Sequence, residues 1–431
     1  MPITGVKGFR DALPEEAQAF SAIERAAAGV LERYGFAEIR LPILEKTELF
    51  ARSIGETTDI VEKEMYTFAD RDGTLVTLRP EGTAPLVRAY VEHHLDQRDP
   101  TTRLYYLGPM FRHERPQKGR FRQFYQIGAE LIGRDDPLAD AELLICLVEV
   151  LAAAGVAGAT LLLNSLGDER CRPAYRERLR AFLVSKRELL CENCNRRLER
   201  NPLRVLDCKE PGCREATADA PSLIDALCEP CAQHFARVRE LLEAQGVAYE
   251  LAPRLVRGLD YYVRTTFEVT AGGLGSQAAV GAGGRYDGLV EQIGGPKVSG
   301  IGFACGVERL ALARAAALGE GARGGPGEAR AGAPAIFIAP VGRDSEAPAL
   351  DVARRLRAAG LRVELDGGRS LKSMMRRADK LGAPRVLILG EEELARRRGT
   401  LRDMRAQKDE KLAVDLDLTG DELVAAVGLR A

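Results

Sequence analysis

Phe111-Arg112-His113-Glu114-Arg115-Pro116-Gln117-Lys118-Gly119-Arg120-Phe121-Arg122-Gln123-Phe124 sets five cations around one turn and flanks them with aromatics. Strand-like residues lie on both sides and Gly119 can bend the middle, so the stretch is predicted to be a hairpin. Arginine forks grip phosphate oxygens in pairs, and a phenylalanine face accepts a planar base. The content suits a nucleoside polyphosphate. A merely solvated charged loop would have no need of Phe111, Phe121 and Phe124 at one hairpin.

Outward from the hairpin, strand-like runs occupy 75–78, 103–111, 121–128, 161–164 and 265–269, mostly without the helix alternation of a doubly wound sheet. That predicts an antiparallel sheet. Residues 15–34 are predicted to be a helix, with Phe20, Ile23, Ala27, Val30 and Leu31 on one face and Gly35 past its end. A strand is expected over 37–43, with Pro42 tolerated at an edge or interface. Neither a P-loop nor a G-x-G-x-x-G turn follows a strand, so a bound nucleotide would lie on the sheet itself.

The hairpin resembles motif 2 of class II aminoacyl-tRNA synthetases. Arg257-Gly258-Leu259-Asp260-Tyr261-Tyr262 and Gly283-Gly284-Arg285-Tyr286-Asp287-Gly288-Leu289 resemble the two signatures of the histidyl-tRNA synthetase family. The likeness runs from Gly5 to the chain end, interrupted only in two places. It implies an α+β fold: a class II antiparallel catalytic sheet with a helical insertion, followed by a C-terminal α/β anticodon-binding domain. The limits it suggests are 1–166 and 250–318 for the two parts of the catalytic core, 167–249 for the insertion, 319–334 for a linker and 335–431 for the last domain. Within the linker, Gly319 to Gly332 is too rich in glycine to bury a core. Beyond it, strands and helices alternate at 335–339, 347–359, 362–365, 371–381 and 385–389.

Composition agrees with a water-soluble globular protein: 431 residues, 45% hydrophobic, 29% charged, net charge −1. No apolar run approaches the roughly 18 residues of a membrane helix, and the start lacks the apolar core of a signal peptide. A cytoplasmic protein with no membrane partner is expected. Near neutrality argues against a nonspecific nucleic-acid coat but not against a partner read at defined places. Six of the nine cysteines, Cys191, Cys194, Cys208, Cys213, Cys228 and Cys231, fall close together and include two C-x-x-C pairs. In a reducing compartment such spacing favours a structural zinc ion over disulfides. The alternative is an accessory insertion with no metal, since the chemistry requires none there.

The resemblance assigns roles residue by residue. Arg112 matches the arginine on the α-phosphate and Arg120 the one near the γ-phosphate, with Phe124 under the adenine, Arg309 over its other face, and Glu114 completing the ATP set. Arg257 would bridge the carboxylate of the amino acid and the α-phosphate, taking much of the part that metal ions play elsewhere in the class; Mg2+ is still expected with ATP. Glu81, Thr83 and Gln126 would hold the α-amine of histidine, Glu130 and Tyr262 its ring nitrogens, with Tyr261 and Tyr286 lining the pocket. Arg115 and Gln117 would face the tRNA acceptor end. Catalysis would rest on Arg112 and Arg257, with Glu81 a candidate in acyl transfer. Motif 1 implies a homodimer. The rival implied by the same fold is a non-catalytic regulatory subunit of ATP phosphoribosyltransferase, which tends to lose the phosphate-gripping arginines retained here.

Overall fold

The structure, a computed structural model, describes residues 2–55, 58, 60–117, 119–272, 274, 278–318, 333–406 and 411–429. The linker expected over 319–334 lies outside them save for its last two residues. The chain divides into two units, Met1–Gly319 and Glu320–Ala431.

The first unit carries β1 (Ala37–Glu38), β2 (Leu44–Lys46), β3 (Tyr66–Ala69), β4 (Leu75–Leu78), β5 (Thr102–Phe111), β6 (Gln123–Ile132), β7 (Thr160–Ser165), β8 (Glu250–Leu251), β9 (Val263–Thr270), β10 (Ala279–Arg285) and β11 (Gly300–Gly306). Among the described residues, eight of these form one sheet in the order β1-β5-β6-β11-β10-β9-β7-β8, and β2-β4-β3 form a small second sheet. The six middle strands are antiparallel as expected. The short edge strands are parallel to their neighbours, β1 to β5 and β8 to β7, which makes the sheet mixed.

The expected strand over 37–43 shortens to β1. Pro42 has no N–H to offer a ladder. The carbonyls that follow are taken from outside: Arg79 Nη1 donates to Leu41 O and Pro42 O, and Arg79 N to Ile43 O. The chain thus stays extended without pairing.

Side chains alternate along a strand, and this sorts the sheet's two faces. Ile127, Ala129 and Leu131 of β6 enter the main core with Phe267 and Phe303. Helices Pro14–Arg33, Pro137–Ala153, Glu229–Ala244 and Val307–Leu318 cover that face through Ile23, Leu144, Val238 and Leu310. Each such side chain, wholly buried, contributes roughly 1.5–3 kcal/mol. Gln126 and Glu130 therefore point to the opposite face. The ten-residue pairing from Thr102↔Ile132 to Phe111↔Gln123 sets the hairpin tip over 112–122.

The segment over 167–249 is helical, as expected, but packs into the same unit as the sheet. Phe235, Val238 and Leu242 of its last helix belong to the main core. The second unit holds β12 (Ile336–Pro340), β13 (Val363–Leu365), β14 (Arg385–Leu389), β15 (Arg398–Asp403) and β16 (Lys411–Asp415) in the order β13-β12-β14-β15-β16, parallel at first and antiparallel at its end.

Candidate active site

One face of the large sheet floors an open cavity of about 410 Å³ lined by residues of the hairpin, of β9, β10 and β11, and of the segment from Val256 to Tyr262. Two buried carboxyl groups stand at this cavity, Glu81 in its lining and Glu130 behind it. Glu81 precedes helix Thr83–Glu92 and accepts hydrogen bonds from Thr83 N at 2.7 Å and Ala84 N at 2.9 Å, satisfying amides that the helix start leaves free. Burial pushes the Glu81 carboxyl up, opposed by those amides and by Arg112.

Glu130 lies alongside. Its Oε1 accepts from the Thr83 hydroxyl and its Oε2 from the Tyr286 hydroxyl, both at 2.7 Å. Burial pushes this carboxyl up to about 8. Gly302 pairs with Glu130 in the sheet, and a Cβ there would come within 1.6 Å of Glu130 Oε2; no other residue leaves room for the carboxyl. Tyr261 and Tyr262 close the pocket with ring centroids 4.6 Å apart, and Tyr261 meets Tyr286 edge-on at 6.0 Å. Gln126 Oε1 is buried without a hydrogen-bond partner among the described residues. A buried acceptor of this kind calls for a polar ligand.

Much of the rest of the lining is cationic. Arg112 donates from Nε to Pro80 O at 2.8 Å and lies over the Phe124 ring at 5.3 Å from its centroid. Arg120 pairs with Glu114, and Arg309 reaches from helix Val307–Leu318 to donate to Ala279 O at 2.7 Å and Gly119 O at 3.5 Å. Burial pushes all three guanidinium groups down. Arg120 and Arg309 also feel Arg112, Arg112 feels Arg257, and Glu64, Glu81 and Glu268 work against the shift. Half-buried cations crowded this way are stabilised by a polyanion.

Arg257 lines the same cavity. Its Nη1 pairs with Glu268 Oε2 at 2.8 Å, its guanidinium lies 6.0 Å from the Tyr262 ring centroid, and its Nε is buried without a partner among the described residues. Of the expected residues, Glu81, Thr83, Gln126, Tyr261 and Tyr262 line one cavity with Arg112, Glu114, Arg120, Phe124, Arg257 and Arg309, while Glu130 and Tyr286 lie behind its wall, joined to it through Thr83. Arg115 and Gln117 are exposed at the hairpin tip, where Gln117 and Arg120 exchange both backbone hydrogen bonds.

Three participants were not anticipated. Glu268 and Glu64 balance the arginines, and Tyr106 lies fully buried on the cavity floor. Acids far apart in sequence announce nothing until the sheet brings them to the cations. The segment over 167–249 also borders the site: Asp207 and Lys209 line the cavity, and Arg204 Nη1 donates to Arg257 O at 2.9 Å.

The six-cysteine expectation needs correction. Cys191, Cys194, Cys208 and Cys213 converge with their sulfur atoms within 4.8 Å of one another, whereas Cys228 and Cys231 lie in a different group. The reason is local: Cys228 begins helix Glu229–Ala244, which belongs to the main core, while Cys191 begins helix Glu192–Arg200 in the second apolar cluster.

The family profile described as histidyl-tRNA synthetase matches residues 8–310, and that of the anticodon binding domain matches 335–425. Histidine–tRNA ligases of Syntrophotalea carbinolica and Geobacter sulfurreducens are 52% and 51% identical to the chain, over 96% and 99% of its length and 97% and 100% of theirs. That of Trichlorobacter lovleyi is 55% identical, over 94% of both chains. The crystal structure of the apo histidyl-tRNA synthetase of S. aureus superposes with a TM-score of 0.79 at 33% identity, covering 98% of this chain and all of that one.

Proposed function

The chain belongs to the histidyl-tRNA synthetase family, and from that premise we infer how its residues divide the work of an ATP-dependent histidine–tRNA ligase. In the first step an oxygen of the histidine carboxylate attacks the α-phosphorus of ATP. The bond to the bridging oxygen breaks, and pyrophosphate leaves. In the second, a hydroxyl of the terminal tRNA ribose attacks the acyl carbon, and AMP departs.

Glu81, Thr83 and Gln126 hold the α-amine, with the unpartnered Gln126 Oε1 as acceptor. Glu130, fixed by Thr83 and Tyr286, addresses one imidazole nitrogen and Tyr262 the other, with Tyr261 as wall. Arg112 and Arg257 grip the α-phosphate, and Arg257 also reaches the histidine carboxylate. Their planar forks gain most when charge concentrates on the pentacovalent phosphorus. Arg120, Glu114 and Arg309 hold the outer phosphates, Phe124 stacks under the adenine, and Mg2+ accompanies the nucleotide as in synthetases generally. Glu81 is the protein group placed to help acyl transfer.

Arg115 and Gln117, exposed at the tip, face the acceptor end of the tRNA, and the domain over 335–431 reads the anticodon. Further parts of this reading are a cytoplasmic homodimer, the chain limits 1–166, 167–249, 250–318 and 319–334, and a structural zinc ion held by Cys191, Cys194, Cys208 and Cys213. Four sulfurs within 4.8 Å suit tetrahedral zinc, whose ligand sulfurs stand roughly 3.8 Å apart.

The single observation that supports the division is the gathering of Arg112, Arg120, Arg257 and Arg309 in one cavity with Glu81 and Thr83, behind which Thr83 holds the buried Glu130. Histidine-dependent exchange of pyrophosphate into ATP tests it. Exchange driven by another amino acid would reassign the pocket, and no exchange would return the chain to a binding role.

A further inference from the structure

We propose that a second structural zinc ion is held by Asp168, Cys171, Cys228 and Cys231. Their ligand atoms, three sulfurs and one carboxylate oxygen, all lie within 4.8 Å of one another, and none of the cysteines is in a disulfide. Asp168 Oδ1 is 3.7 Å from Cys171 Sγ and 3.8 Å from Cys228 Sγ. Zinc binds sulfur at about 2.3 Å and carboxylate oxygen at about 2.0–2.2 Å, so tetrahedral neighbours stand on the order of 3.5–3.8 Å apart. The group needs little movement to close on an ion.

The surroundings hold these atoms in that arrangement. Asp168 Oδ2 is engaged by Arg170, from Nε at 3.1 Å and Nη2 at 2.5 Å, with Arg264 Nη2 at 3.6 Å. Oδ1 accepts from Arg170 N at 3.0 Å and faces the two sulfurs with its remaining lone pair, as outer partners orient a metal-binding carboxylate. Three thiolates and a carboxylate around a dication carry two excess negative charges, which the two arginines offset. Asp168 N donates to Cys171 Sγ at 3.3 Å. Gly167 has φ +57°, and a Cβ there would lie 2.5 Å from Cys171 Sγ, so the turn that delivers this sulfur requires glycine.

Position in the fold gives the ion its task. Asp168 and Cys171 follow β7 as the chain leaves the sheet and open helix Arg172–Ser185. Cys228 and Cys231 open helix Glu229–Ala244, which returns to the core where His234 Nε2 and Asp140 Oδ2 lie 2.7 Å apart. An ion here ties the first and last helices of the inserted segment together at its root, separately from the four-cysteine group within it.

Elemental analysis of the full chain, purified without chelators, is expected to give two zinc ions per chain. Cys171→Ser and the Cys228→Ser/Cys231→Ser pair should each retain one, and Cys191→Ser/Cys194→Ser should retain the other. One zinc in the wild type that is lost with Cys171→Ser but kept in Cys191→Ser/Cys194→Ser would support this site and remove the four-cysteine one. A zinc content in Cys171→Ser equal to that of the wild type, no zinc at all, or a Cys228–Cys231 disulfide in protein handled without oxidant would overturn the proposal. Should a variant fail to fold, cobalt loaded into the wild type decides: two cobalt equivalents with thiolate charge-transfer bands are expected, and saturation at one, matched by protection of only Cys191, Cys194, Cys208 and Cys213 from alkylation, contradicts it.

Discussion

The Tyr286 hydroxyl donates to Glu130 Oε2 across 2.7 Å on the side opposite the Thr83 hydroxyl, so both oxygens of one buried carboxyl are fixed before a substrate arrives. Because burial raises this carboxyl to about 8, Glu130 holds its proton more tightly in the folded chain than in the unfolded one. The stability it contributes is complete below the ordinary carboxylate range and is lost as pH rises through about 8. Between pH 6 and 9 the loss should be on the order of 2–3 kcal/mol. Urea unfolding of wild type and Glu130→Gln across that range checks it: the variant, with no proton to lose, should show the flatter profile. Parallel profiles would rule the titration out.

Arg285 and Asp140 form a wholly buried pair, with Nη2 to Oδ1 at 2.5 Å and Nε to Oδ1 at 3.0 Å, and the Thr265 hydroxyl donates to Asp140 Oδ2 at 2.6 Å. Removing Asp140 leaves the buried Arg285 charge with only Asp287, 2.9 Å from Nη1 at the edge of the core. Asp140→Asn is expected to lower unfolding free energy by about 3–5 kcal/mol, with the KM for ATP little changed in the protein that remains folded. A loss below about 1 kcal/mol, the level of a surface pair, would show the charge to be solvated.

Ile43, Leu44, Phe68 and Leu75 are exposed on or beside the small sheet of β2, β4 and β3. Apolar side chains gathered on one exposed sheet suit a twofold interface. Light scattering should find a dimer at micromolar concentration, and Phe68→Glu with Leu75→Glu should shift it toward monomer. A fully active wild-type monomer would contradict the interface.

Residues 1–318 have their own core, so a chain ending there should still activate histidine. Charging of tRNA should fall by about 10²-fold or more, because anticodon contacts are gone while the activation pocket is intact. Equal charging by the shortened and full chains would remove the anticodon role.

The hairpin was legible because arginines and aromatics at that density have few other uses, and helix Pro14–Arg33 because its apolar residues recur at helical spacing. β10 and β11 were not. Ala279-Val280-Gly281-Ala282-Gly283-Gly284-Arg285 is poor in the branched and aromatic residues that mark strands, and only packing explains it: a Cβ at Gly283 would lie 2.1 Å from Gly302 O. The same holds for Gly302, whose missing side chain is the space that Glu130 fills. The second signature divided unexpectedly, with Tyr286 in the pocket and Arg285 in the core. Glu268 and Cys171 carried no local signal, since their partners Arg257 and Cys228 come from other elements.

The most direct test of histidine activation at this site is pyrophosphate exchange by wild type and Arg257→Lys, at saturating histidine, on protein shown to be folded. Lysine keeps the charge and loses the planar fork that spans carboxylate and phosphate. Exchange should require histidine, and Arg257→Lys should lower its turnover by about 10²-fold or more, on the order of 3 kcal/mol, with a much smaller change in the KM for ATP. Near-wild-type turnover in Arg257→Lys would contradict the role given to Arg257 at the transition state.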